Sequence, residues 1–314
     1  MGVSLPPGIL LIAGALLLPL LPPRLRGFYP LVLVVLSALN LAALDATDAA
    51  WRVALFDYEL VLAKTDSLSL LFGWLFHIGA FLAFLFALHL RDPVQQVAAL
   101  VYAGAGMGAV GAGDWITFFV HWEVMTGASV FLIWARQGHR ALAAALRYFG
   151  VQLLSGLLLL AGILVHFAEG GGPALGYVGL GSLGGVLILI ALGVKCAFPA
   201  LHVWMIDAYP ESTPTGTVFL SIFSTKTAVY ALAMAFPGAA PLVPIGIAMT
   251  IFPIFYAVIE NDFRRVLCYS SVNQLGFMVA GIGLGSALAV NGAVAHAFAE
   301  VLFKGLLFMS MGAV

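Results

Sequence analysis

The segment Leu192-Gly-Val-Lys195-Cys-Ala-Phe-Pro199 sets a lysine inside an apolar stretch that runs from about 180 to 206. Pro199 withdraws a backbone donor and leaves carbonyls free partway along what is otherwise a helix. A charge at the centre of a membrane helix costs about 2.5 to 3.5 kcal/mol on insertion scales. Irregular backbone at membrane depth persists where it is buried in protein or lines a cavity. A lysine beside a break therefore predicts an all-α integral membrane protein with an interrupted span at a functional charge.

Outward from that segment the apolar pattern recurs. Runs at about 7–22, 27–45, 66–90, 94–112, 115–135, 141–168, 214–236, 241–259, 266–285 and 287–312 join it. At roughly 20 residues per crossing this predicts about eleven transmembrane helices, the seventh of them broken. Turn chemistry separates the runs, as at Pro22-Pro23, Arg91-Asp92-Pro93, Gly170-Gly-Gly-Pro173 and Pro237-Gly238. Composition agrees, with 63% hydrophobic and 9% charged residues, where a soluble domain carries about 25% charged. The first run has no Lys or Arg in residues 1–6 and is followed at once by further spans, so it reads as a retained helix.

A net charge of -1 and no basic run longer than Arg264-Arg265 exclude a nucleic-acid partner. Cys196 and Cys268 lack CxxC or Cys/His spacing, and no oxygen-rich cluster for a hard cation is visible, so neither a cofactor nor a metal is expected. The glycines between Gly104 and Gly113 lie in a span and read as small-residue helix packing. Arg24, Arg26, Arg91, Arg136, Arg140, Arg147, Arg264 and Arg265 fall in one set of alternate loops, and Arg52 and Lys64 in the other. The positive-inside rule then places the N-terminus outside and the C-terminus in the cytoplasm of a bacterial plasma (inner) membrane. Between Asp45 and Asp66, alternating Trp51, Val53 and Leu55 predict a short external strand or hairpin.

Several charges lie inside spans. Glu123 is near mid-depth in Trp115-Ile-Thr-Phe-Phe-Val-His-Trp-Glu123, and Lys226 stands in Ser224-Thr-Lys226-Thr227. His296, Glu300 and Lys304 follow at i, i+4 and i+8, one face of a helix with about 6 Å of rise between neighbours. Two unit charges that far apart at an effective dielectric of about 20 couple by roughly 2.8 kcal/mol, so protonating one rung shifts the next. Every mid-span cation is a lysine, which sheds its proton on burial more readily than arginine. His202, beside the break, is a further candidate; His121 is weighed equally as helix packing, and His77, His89, His139 and His166 read as span-end residues. The bland alternatives are a purely structural Glu123–Lys195 ion pair and a snorkelling Lys304.

Lys195-Cys-Ala-Phe-Pro199-Ala-Leu-His202-Val-Trp204-Met-Ile-Asp207-Ala-Tyr209, the Ser224 to Tyr230 segment and Glu260-Asn-Asp262-Phe-Arg264-Arg265 through Phe277 carry a family resemblance. The chain resembles, from about Asp66 onward, the antiporter-like subunits shared by multi-subunit Na+/H+ antiporters (their D-type member), respiratory complex I and membrane hydrogenases. That resemblance implies a glutamate of the fifth span paired with a lysine of the seventh, continued by further lysines as a lateral proton path; by position these are Glu123, Lys195, Lys226 and Lys304.

The sequence departs from the family at three places. The proline of the break stands one position early and Met205-Ile206-Asp207 replaces Leu-Pro-Asp; Glu300 stands where a second histidine is common, exchanging a group that titrates near neutrality for one with a reference pKa of about 4.3. A glutamate there needs pairing with Lys304 or burial to take part near neutral pH. The family also has about fourteen spans in two inverted five-helix repeats. Residues 1–93 then supply N-terminal helices 1–3, 94–236 a first repeat and 237–314 part of a second, so the chain is a fragment or a separate polypeptide supplies the remaining helices. The implied function is proton conduction through Glu123, Lys195, Lys226, His296, Glu300, Lys304 and His202 within a cation/proton antiporter. The alternatives are the proton-pumping membrane subunit of a complex I-like NADH:quinone oxidoreductase or membrane hydrogenase, and an inactive scaffold. Other membrane subunits are the expected partners.

Overall fold

The computed structural model describes residues 5–44, 49–55 and 58–313. The chain opens with α1 (Ile9–Leu17), the single turn α2 (Pro23–Arg26) and α3 (Tyr29–Ala42). An antiparallel hairpin follows, β1 (Ala49–Leu55) on β2 (Tyr58–Lys64), with Arg52 opposite Val61 and Val53 opposite Leu60. This is the hairpin expected between Asp45 and Asp66; residues 45–48 and 56–57 lie outside the described residues.

The remaining elements are helices: α4 (Ser67–Phe86), α5 (Pro93–Gly111), α6 (Trp115–Trp134), α7 (His139–Ala168), α8 (Leu183–Lys195), α9 (Val203–Ala208), α10 (Pro214–Ile222), α11 (Ser224–Ala235), α12 (Leu242–Ile259), α13 (Phe263–Leu284) and α14 (Ala287–Ala313). Their starts are set by short polar side chains that take up free amides of the first turn. Asp66 accepts from the Ser69 amide, and the Ser69 hydroxyl oxygen accepts from the Asp66 amide in return. Asp92, Asp114, Ser182, Thr213 and Asp262 cap α5, α6, α8, α10 and α13 in the same way. Pro93 and Pro214 occupy the first helical position, where no amide partner is needed. At the other end of α13, Gly285 takes the left-handed conformation at φ 70°.

Among the described residues, eight helices are long and apolar enough to cross a membrane, counting α10 with α11 as one. Three shorter apolar helices, Ile9–Leu20, Tyr29–Ala42 and Leu183–Lys195, accompany them. The expected spans at 27–45 and 180–206 are thus shorter in helical form than their apolar runs. The α10–α11 pair runs through the centre with nearly every residue buried, although it carries Ser221, Ser224, Thr225, Lys226 and Thr227. A polar helix is stable there because its hydroxyls bond within the protein: Ser221 Oγ donates to the Val218 carbonyl and Thr227 Oγ1 to that of Phe223. By contrast α12 lies at the periphery, with Ile247, Ile251, Phe255 and Val258 exposed on an apolar face.

The glycines of α5 bring backbones together, as the sequence predicted. A Cβ at Gly104 would stand 2.7 Å from the Gly8 carbonyl, and one at Gly106 would stand 2.8 Å from the Phe223 ring. The hairpin is tied to the start of α6. Asp114, buried, accepts from the Val61 amide at 2.8 Å, the Thr117 amide at 2.8 Å and the Thr117 hydroxyl at 2.6 Å. Backbone bonds from Gly113 N to Val61 O and from Leu175 N to Gly113 O extend the knot to the α7–α8 connection.

Candidate functional site

Lys195 is the last residue of α8, where the free carbonyls of a helix C-terminus favour a cation. The chain then turns through 196–202 before α9 begins. Ala197 and Ala200 sit at φ 60° and 65°, a region that small side chains enter most cheaply, and Pro199 lies between them. The carbonyls released at the end of α8 find new donors: Gly193 O takes the Phe198 amide at 2.9 Å, and Val194 O takes the Trp204 indole N–H at 2.8 Å.

The Lys195 side chain is fully buried. Its ammonium donates to Thr126 Oγ1 at 3.2 Å and the Trp122 carbonyl at 3.4 Å, and lies 3.9 Å from the centre of the Trp122 ring. A cation held on an aromatic face and two oxygens is stabilised without a carboxylate in contact. Here the structure differs from the expected direct pair: among the described residues no ion pair joins Glu123 to Lys195. Glu123, one position after Trp122, is half-buried and turns toward α7, where its Oε1 abuts Gly156 and has no protein hydrogen-bond partner. Glu123 thus faces Gly156 of α7, while Lys195 is held by Trp122 and Thr126 of the same helix α6.

Lys226 and Glu300 are joined directly. The Lys226 ammonium forms a buried ion pair with Glu300 Oε2 and donates to the Ser221 carbonyl at 3.0 Å. Of the two conditions set for Glu300, pairing with Lys304 or burial, the structure shows burial, together with a pairing to a different lysine: α14 packs against α11 so that Lys226 meets Glu300, while Lys304 turns to α13 and bonds Ser270 Oγ. His296 also reaches α13, with Nε2 2.8 Å from Gln274 Oε1. The three rungs of α14 share a face, as their spacing requires, yet each is bound to a different side chain on a neighbouring helix.

His202 stands at the head of α9, half-buried, its ring 4.7 Å from that of Phe252 and its Nδ1 without a partner. It makes no bond to the lysines. His121 bonds the Thr117 carbonyl through Nδ1 at 2.9 Å and packs on Gly108, in keeping with helix packing. His77, read from the sequence as a span-end residue, lies buried in the middle of α4 and bridges to Ser37 Oγ of α3 at 2.9 Å. Sequence reasoning missed Trp122, Thr126, Ser221, Ser270 and Gln274, the groups that hold the charges. Hydroxyls and amides in an apolar helix draw less notice than charges because hydrogen bonds within the protein can satisfy them; the adjacency of Trp122 to Glu123 was the one available signal.

The interior thus holds three lysines, Lys195, Lys226 and Lys304, and two glutamates, Glu123 and Glu300. Fully ionised, they carry a net charge of +1 in a medium where unbalanced charge is expensive. Loss of one lysine proton neutralises the set. The arrangement is suited to moving protons between partners of unequal charge.

Residues 112–314 match the family described as NADH:quinone oxidoreductase/Mrp antiporter, transmembrane. The chain is similar to NADH-quinone oxidoreductase subunit N of Desulforudis audaxviator, 31% identical over 249 residues that cover 71% of this chain and 50% of that one. It is 34% identical to NADH-quinone oxidoreductase subunit M of Escherichia coli over 237 residues, 67% of this chain and 46% of that one. A chain of the Mrp complex from a Dietzia strain superposes with a TM-score of 0.86 at 25% identity, covering 97% of this chain and 37% of the other. The chain spans about half the length of the curated relatives it matches. On these matches the chain belongs to the transmembrane family of NADH:quinone oxidoreductase and Mrp antiporter subunits.

Proposed function

We propose that this chain is a proton-conducting subunit of a multi-subunit membrane complex, with Glu123, Lys195, Lys226, Glu300 and Lys304 as successive proton-binding groups. The observation that carries this is the contrast between the two halves of the set: Lys195 is held without a contacting carboxylate, whereas Lys226 is paired to Glu300. A proton arriving on Glu123 removes the negative charge nearest Lys195, and Lys195 then releases its own proton toward the Lys226–Glu300 pair, where the Glu300 carboxylate is the acceptor. Neutralising Glu300 frees Lys226 in turn, and the change in charge is felt one turn along α14 at Lys304, with His296 and His202 as flanking acceptors.

In architecture we place eleven crossings in the chain, the seventh interrupted after Lys195, with the N-terminus outside and residues 94–236 and 237–314 as one complete and one partial five-helix repeat. Further membrane subunits complete the path. Exchange of a cation against H+ is supported by the match to the family described as NADH:quinone oxidoreductase/Mrp antiporter, and Na+ as that cation rests on the resemblance drawn from the sequence. Redox-driven pumping is supported by the identity to NADH-quinone oxidoreductase subunits M and N.

The test is proton transport by the complex purified from native membranes and placed in vesicles, driven in turn by a cation gradient and by an electron donor with quinone. Glu123→Gln and Lys195→Ala should each abolish transport while the complex still assembles; transport at the wild-type rate in both variants would refute conduction through these groups.

A further inference from the structure

The junction between α10 and α11 is built in a way that conduction alone does not explain. An unbroken helix would join the Ser224 amide to the Leu220 carbonyl four residues back. Each of these groups carries a tyrosine hydroxyl. The Ser224 N–H donates to the Tyr102 hydroxyl of α5 at 3.1 Å, and Leu220 O accepts from the Tyr209 hydroxyl at 2.8 Å. Tyr102 also shares a hydrogen with Ser224 Oγ at 2.7 Å. Between the two helices Phe223 stays in the right-handed helical region, with φ stretched to -97° at ψ -59°, and its ring is wedged against Phe76 and Tyr102, 5.0 and 5.4 Å away.

One face of α5 supplies this slot. Tyr102 and Gly106 are one turn apart, the first giving the hydroxyl and the second the space that Phe223 fills. All three rings and both hydroxyls are buried, so water is not at hand to replace either tyrosine. Directly after the junction, Lys226 bonds Ser221 O and Glu300. The direction of its side chain depends on the turn at Phe223, because closing that turn rotates everything after it relative to α10.

We propose that Tyr102 and Tyr209 are positioning residues whose hydroxyls hold the α10–α11 junction open and so aim the Lys226 ammonium at Glu300. This rests on the assignment of Lys226 to the proton path only for its functional consequence; the positioning itself is a matter of geometry. Tyr209 lies directly after α9, on the segment that leads from the break at Lys195, and Trp204 of α9 ties that segment back to Val194. The same hydroxyl therefore connects the irregular backbone beside Lys195 to the irregular backbone beside Lys226.

The experiment uses the complete complex carrying Tyr102→Phe or Tyr209→Phe, each of which removes one oxygen and keeps the ring. Its density map is read at residues 220–226, and its transport is measured across pH. In at least one variant the junction is expected to close into regular helix, with Lys226 leaving Ser221 O. Transport should fall about tenfold, and the pH of half-maximal transport should move by about half a unit, since the surroundings of a titrating lysine change. Lys226 still bonded to Ser221 O and Glu300 in both variants would overturn the proposal. Lys226→Ala separates the two claims. If it transports like the wild type while a phenylalanine variant shows the closed junction, conduction through Lys226 fails and the positioning stands. If it is inactive while both phenylalanine variants keep the open junction and the wild-type pH profile, the positioning fails alone.

Discussion

Lys226 of α11 and Glu300 of α14 form an ion pair in which both side chains are almost wholly removed from solvent. Removing one partner of such a pair leaves an uncompensated charge, at a cost of about 3 to 5 kcal/mol, unless the remaining group changes its protonation. Glu300→Gln should therefore leave Lys226 neutral or displaced, and transport should fall at least tenfold with little loss of assembly. Rapid transport by this variant in vesicles would show that the pair is structural only.

Glu300→His offers a second reading of the same contact. Histidine stands at this position in many relatives by the resemblance drawn from the sequence, and its reference pKa is about 6.5. Below that pH a protonated imidazole would repel Lys226, and above it the repulsion is relieved. The variant is expected to conduct on the alkaline side and lose activity as pH falls from about 7.5 to 5.5. A pH profile identical to that of the wild type would contradict this.

Thr126→Val keeps the shape of the residue and deletes a hydroxyl that accepts from Lys195 at 3.2 Å. The lost hydrogen bond to a charged group is worth roughly 1.5 to 3 kcal/mol. Transport should slow by about tenfold or more, while Thr126→Ser, which restores the oxygen, should recover most of it. Failure of the serine variant to recover would assign the effect to packing.

The sequence placed charges but not partners. Glu123, Lys195, Lys226 and Lys304 could each be named because an ionised side chain in an apolar run stands out against the cost of insertion, and Pro199 marked the non-helical stretch that separates Lys195 from Val203. The hairpin was visible in the alternation from Trp51. The i+4 spacing of Glu300 and Lys304 was an accurate statement about one helix face, yet it could not say that Lys226 would arrive on that face from α11. Partner choice depends on which helices pack together, a property of the whole bundle. His77 was misplaced for a related reason: span limits drawn from hydropathy alone are loose, whereas Ser37 across the helix interface fixes where the ring lies.

Gly156→Ala tests Glu123, the glutamate of the set that has no ion pair among the described residues. A Cβ at this position would collide with Glu123 Oε1, and the flexible end of the glutamate is the part that must give way. The complex should assemble normally and transport should fall several-fold, with a further fall for Gly156→Val. Equal transport in all three would mean that the orientation of Glu123 toward α7 is not needed.

Asp114→Ala removes an N-cap and two further bonds made by one buried carboxylate. A loss of about 3 kcal/mol is expected from the cap and the charged hydrogen bonds together. It should appear as a lower melting temperature and faster proteolysis between residues 49 and 64. Unchanged cleavage of the hairpin would show that its strands hold without Asp114.

The Asp114 knot also makes the molecule mechanically unequal along the length of α6. At the Asp114 end, the hairpin, the α5–α6 connection and the α7–α8 connection converge on one buried anchor. Beyond Trp134, at the other end, the ties include two ion pairs open to solvent, Arg147 with Asp207 and Arg136 with Glu211 at 3.7 Å, beside the bond from Arg136 to the Pro210 carbonyl. Salt weakens the second kind and spares the first. Ionic strength therefore reaches the Arg147–Asp207 and Arg136–Glu211 ties and leaves the buried Asp114 anchor untouched, so salt loosens the molecule unevenly along α6.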